Sequence, residues 1–121
     1  MIRAAGAAAV AQRLDDIAQA ITRNTTAAMA AEATAMEAEA KRRCPVKTGA
    51  LRESIRADTA QTDEEITAAI GTDLDYAAAV EMGTIARPPR PYLAPAFRAR
   101  RSALTEHTKQ AVRRAIRGET E

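Results

Sequence analysis

Few side chains in this 121-residue chain could carry covalent or metal chemistry. Its one cysteine, Cys44, follows Lys41-Arg42-Arg43, and nearby cations lower a thiol pKa. A cysteine nucleophile also needs a base. The one histidine, His107, lies 63 residues further on, among Thr105, Glu106, Thr108 and Lys109. Cys44 therefore reads as a small residue at a helix end, and His107 as part of a solvated helix face. One cysteine makes no internal disulfide, and one Cys with one His is no zinc set. Asp73 and Asp75 have the spacing of a hard-cation pair, but no third or fourth ligand stands beside them. Acids at a helix N-terminus account for both. Asp63-Glu64-Glu65 reads as a polar turn. GxxxxGK[ST], GxSxG and HExxH are all missing. The sequence points away from an enzyme and asks for no cofactor.

The basic residues are more informative. Arg87, Arg90, Arg98, Arg100, Arg101, Lys109, Arg113, Arg114 and Arg117 crowd the last third of the chain. Such density suits phosphate contact, and it also suits a helix face that pairs with acids of an adjacent copy. Base readers usually add stacking aromatics or a helix-turn-helix, and only three aromatics are present. Non-specific contact with DNA passing nearby is favoured over sequence-specific binding. Residues 51–86 carry a net charge of −6 and residues 87–121 a net charge of +6, so the two segments attract each other within or between subunits.

The elements that position these groups follow from periodicity. Residues 8–43 read as a long helix: Val10, Leu14, Ile17 and Ile21 form one stripe, and Met29, Ala33, Met36 and Ala40 resume it. Asn24-Thr25-Thr26 is its weak point, a candidate kink or break into two helices. Cys44-Pro45 ends it. Thr48 and Gly49 suit a capped, tight turn. Alternation predicts strands at 54–60 and 65–72, joined as a β-hairpin through Gln61-Thr62-Asp63-Glu64. A short helix is expected at 76–82, closed by Gly83. Thr84 to Pro95 holds four prolines and reads as an extended arm. A helix over 95–117 follows, with Phe97, Leu104, Ala111 and Ala115 on one side. Helices and strands are segregated, so the fold class is α+β.

Length bounds this to a single domain, 1–121, with a helical part (1–43), a central part (44–97) and a basic tail helix (98–121). Thirty-one residues are alanine, and Leu, Ile, Val and Phe together number only 18. A chain with so little apolar volume commonly needs a disulfide, a metal or a partner subunit. The first two are excluded above, so assembly is expected. No apolar run is long enough to cross a bilayer. The faintly signal-like N-terminus is charged at once by Arg13 and Asp15-Asp16, so synthesis in a cytoplasm is expected.

Two blocks carry a resemblance. Cys44-Pro45-Val46-Lys47-Thr48-Gly49-Ala50-Leu51-Arg52-Glu53-Ser54-Ile55 resembles the P-x-x-T-G-x-L-x-x-S-I block of the small neck or tail-completion proteins of long-tailed bacteriophages. Tyr76-Ala77, Glu81-Met82-Gly83-Thr84 and Arg90-Pro91-Tyr92-Leu93-Ala94-Pro95-Ala96-Phe97 resemble its Y-A-x-x-x-E-x-G-T and R-P-F-L-x-P-A block. The chain departs at Tyr92, where phenylalanine is frequent, at Met82, where an aromatic is common, and in its alanine-heavy first helix. The resemblance implies a non-enzymatic virion part at the head–tail joint of a phage or prophage particle, assembled in the bacterial host cytoplasm. Family members work as rings, most often six-fold, beside a tail terminator or tail tube protein and a head-closure or connector protein.

The residues fit that role on their own chemistry. The proline-rich arm is pre-stiffened, so laying it on a neighbour costs little ordering entropy. Tyr92, Leu93 and Phe97 are its expected anchors in a subunit interface. Glu81 is expected to meet an arginine of the Arg87–Arg101 stretch. Arg87, Arg90, Arg98, Arg100, Arg101, Arg113 and Arg114 are expected to face a DNA-filled lumen or acidic partner surface. A second reading is a small DNA-associated regulatory protein using the Arg-rich C-terminal helix.

Overall fold

The computed structural model describes residues 5–47 and 49–118. Its elements, in chain order, are α1 (Ala5–Arg43), α2 (Ala50–Ser54), β1 (Arg56–Gln61), β2 (Ile66–Gly71), α3 (Ala77–Met82) and α4 (Leu93–Ile116). The α+β class stands. Helix α1 is the middle layer, with α4 packed on one side and the β1–β2 hairpin on the other. Its side-chain bonds show the two faces. Asn24 and Glu32 reach α4, whereas Thr26 and Glu37 reach Gln61 and the Ala57 N–H of β1.

Alanine is the strongest helix former, so α1 runs unbroken for 39 residues. The helix does not break at Asn24-Thr25-Thr26. Asn and Thr weaken a helix by competing for its backbone, but two of these side chains find tertiary partners instead. Asn24 Nδ2 donates to the Ala111 carbonyl at 3.3 Å, and Thr26 Oγ1 donates to Gln61 Oε1 at 3.1 Å. Of the expected first stripe, Val10 and Leu14 stay 60% and 62% exposed, whereas Ile17 and Ile21 are half-buried. The reason is length. Helix α4 runs antiparallel to α1 and stops near Asn24 and Ala20, so the first turns of α1 overhang it.

The hairpin is antiparallel, in register from Arg56 opposite Gly71 to Gln61 opposite Ile66. Strand β1 starts two residues later than predicted, because Ser54 closes α2 and Ile55 turns inward, fully buried, and β2 is one residue shorter at each end. In the turn, the Thr62 hydroxyl accepts the N–H groups of Glu64 and Glu65, and the Thr62 N–H donates to the Glu65 carbonyl. Helix α4 starts two residues earlier than predicted and places Pro95 in its first turn, where a missing N–H costs nothing. Of the side expected to be apolar, Ala111 and Ala115 are buried, but Phe97 is 44% exposed and Ala96 takes the inner place.

The core sits at the C-terminal end of α1. Ala40, Cys44, Leu51, Ile55, Ala77, Tyr92 and Ala96 form it, flanked by Ile70, Leu74, Val80 and Leu93. Beyond it the α1–α4 seam is lined by alanines, which let two backbones approach closely but bury little area each. No described helix is long and apolar enough to cross a membrane.

Candidate functional site

Helices α2 and α3 and the proline-rich arm meet at the core end of α1 and enclose a groove of about 410 Å³. Pro45, Leu51, Tyr76, Val80 and Pro88 supply its apolar wall, and Lys47, Arg87 and Arg90 its cations. Local sequence builds each side. Pro45 stops α1, and Gly49 takes φ 85° to start α2, a conformation that favours glycine. Gly83 takes φ 77° after α3.

Gly83 also lies against the arm. A Cβ built there would stand 2.7 Å from the Pro89 backbone nitrogen. Its small size lets the arm fold back, where the Arg90 N–H donates to the Val80 carbonyl at 2.8 Å. Thr84 and Arg87 exchange backbone hydrogen bonds, and the Thr84 hydroxyl accepts the Arg87 N–H. The arm therefore rests on its own subunit. Gly83→Ala, which adds positive-φ strain to a backbone clash, is expected to cost about 2 kcal/mol or more. Urea unfolding at pH 7 measures it; an unmoved midpoint would show that the arm is not packed this way.

Glu81 is the pivot of the site. Its carboxylate accepts the N–H groups of Tyr92 (2.7 Å), Leu93 (3.0 Å) and Ala94 (2.9 Å), the open donors at the start of α4. Burial acts to raise this carboxyl, but the three N–H donors together with Arg98 outweigh it and hold it below its ordinary range. The expected arginine partner is thus Arg98, acting at a distance, while backbone donors make the direct bonds.

Tyr92 lies inside its own subunit and not on a neighbour: it is 0% exposed, with its hydroxyl donating to the Ala77 carbonyl at 3.4 Å. Its proline-stiffened approach turns it inward onto the core. Burial pushes its phenol up to about 12, with Cys44, Glu81 and Tyr76 adding to the effect. Leu93 is likewise half-buried against its own core. Phe97 keeps an exposed ring, and Met82 and Ile85, in the α3 end and the arm, are more exposed still.

The basic residues divide. Arg87 and Arg90 line the groove. Arg100 pairs with Glu32 of α1 and not with the acidic middle segment: Nη2 donates at 2.8 and 3.0 Å and Nε at 3.2 Å. His107 Nδ1 contacts the same carboxylate, so His107 is not merely solvated. Arg101 is exposed. Arg113, Arg114 and Arg117 gather with Gln110 at the far end of α4. Glu32 is the residue that sequence reading passed over. Its signal is position: Ala28 and Met36, four residues on either side, are buried, so a carboxylate between them needs a cation.

The motif residues fall into place around this. Leu51 and Ile55 are core, Ser54 Oγ donates to the Leu51 carbonyl and pairs with Thr72, and Pro91 is exposed. Thr48 lies outside the described residues. Cys44 is buried, and burial raises its thiol against the pull of Arg52, which disfavours a thiolate. Among the described residues, no group of His, Cys, Asp or Glu could hold a metal.

Residues 8–83, more than half of the chain, match the model of the HK97-gp10-like family, described as "Bacteriophage HK97-gp10, putative tail-component". The chain belongs to this family. No curated protein and no solved structure matches it. The resemblance read from the 44–55 block is thereby substantiated. The HK97-gp10-like match takes in α1, α2, the hairpin and α3 and ends at Gly83, so the arm and α4 lie beyond it. Family membership makes the chain a phage tail component, a structural part of the virion that meets other phage structural proteins.

Proposed function

We propose that this tail component is a non-enzymatic subunit of the head–tail neck, which completes the tail and joins it to the DNA-filled head as part of a homo-oligomeric, six-fold ring. The family match over residues 8–83 is the observation that carries the reading. The surface supports it. The core is thin, and Val10, Leu14, Val46, Met82, Ile85, Phe97 and Ile116 remain exposed for neighbouring subunits. The ring's other contacts are a tail terminator or tail tube protein on one side and a head-closure protein on the other. The basic end of α4, with Arg113, Arg114 and Arg117, suits non-specific contact with the genome.

Disrupting the gene in a particle-producing strain tests this. Full heads and separate tails are expected to accumulate, and to join when the purified protein is added. Mass spectrometry of finished particles is expected to count six copies each. Normally joined particles without the protein would overturn the proposal.

A further inference from the structure

We infer that the groove between α2, α3 and the arm receives the acidic hairpin tip, Asp63-Glu64-Glu65, of a second copy of this chain, in a head-to-tail contact. The inference rests on the ring reading and names the contact that would build it. Lys47, Arg87 and Arg90 stand around an apolar floor, and no residue lining the groove is acidic. The tip is its complement. Its three successive residues are exposed, and among the described residues their carboxylates make no hydrogen bond or ion pair. Complementary potentials of this kind set register and partner choice more than raw affinity.

Geometry makes the contact intermolecular. The loop end of the hairpin is tied to α1 at Thr26, through Gln61. The groove belongs to the other end, where Leu51 packs with Cys44. Eighteen residues, nearly all within the unbroken helix α1, separate these points, about 27 Å at 1.5 Å per residue. A tip cannot enter its own groove. A contact between two different patches leaves one of each open on every added copy, and such heterologous contacts close into rings when the rotation allows.

Charge reversal in the purified full-length chain tests it, read by sedimentation over a range of protein and salt concentrations. Asp63→Lys/Glu64→Lys/Glu65→Lys and Lys47→Glu/Arg87→Glu/Arg90→Glu are each expected to weaken self-association at least tenfold. An equimolar mixture of the two variants, in which every tip again meets a groove of opposite charge on the other variant, is expected to restore assembly as alternating copies. A further chain carrying Glu64→Cys and Arg87→Cys is expected to give a reducible ladder of disulfide-linked multimers. If wild type assembles and both reversals assemble equally well, without a ladder, the tip–groove contact is wrong while the ring stands. If wild type stays monomeric throughout and finished particles hold a single copy, the ring and this contact fall together.

Discussion

Arg100→Ala is expected to cost about 3 kcal/mol of stability, the low end of what breaking a buried ion pair costs. Glu32 is 2% exposed, and Arg100 supplies its three guanidinium hydrogen bonds. Without Arg100 the carboxylate keeps only His107. Water reaches the Arg100 side, about a third of which is exposed, so the penalty falls short of that for a fully enclosed charge. The partner change is milder: Glu32→Gln leaves a neutral amide and a guanidinium that can turn to water, about 1–2 kcal/mol. Replacing both by similar-sized apolar residues, Glu32→Leu with Arg100→Met, is expected to recover most of the loss. Urea unfolding of all three variants measures the ordering. Equal midpoints for wild type and Arg100→Ala would show that the bond does not hold α1 to α4.

The second large effect is expected at Glu81. Glu81→Ala strips three N–H groups at the start of α4 of their common acceptor, and the loss is expected to reach about 2–3 kcal/mol, above an ordinary capping residue because the acceptor is charged. Glu81→Gln keeps one carbonyl acceptor and is expected to lose about half as much. The two also differ from wild type in pH dependence. The folded-state pKa is lowered from 4.5, so the stabilisation is fully present above about 4.5. It is lost as pH falls from there through the lower folded value. Wild type is expected to weaken over that acid range more steeply than Glu81→Gln. Parallel curves for the two would mean that the carboxylate does not cap α4.

What was legible in the sequence was local. Alanine content and spacing placed α1, alternation placed the hairpin, and Pro95 marked the first turn of α4. The misplaced residues all depend on distant partners. Asn24 looks like a helix breaker until the Ala111 carbonyl, 87 residues away, is brought to it. Arg100 reads as one of many surface cations because nothing near it in sequence points to Glu32, 68 residues earlier. Tyr92 reads as an interface anchor because prolines surround it, and only the meeting of α1, α2 and α3 gives it a place inside. Glu81 reads as an arginine's partner because arginines follow it in sequence, and those hide the backbone donors that it binds.

The reach of α1 has a mechanical outcome. Residues 5–19 of α1 run on past the end of α4, an overhang of about 22 Å at 1.5 Å per residue. Pivoting that overhang by roughly ten degrees swings its far tip sideways by about 4 Å. Slight repacking where α1 leaves α4 is thereby amplified at its overhanging turns, while the packed interior stays as it is.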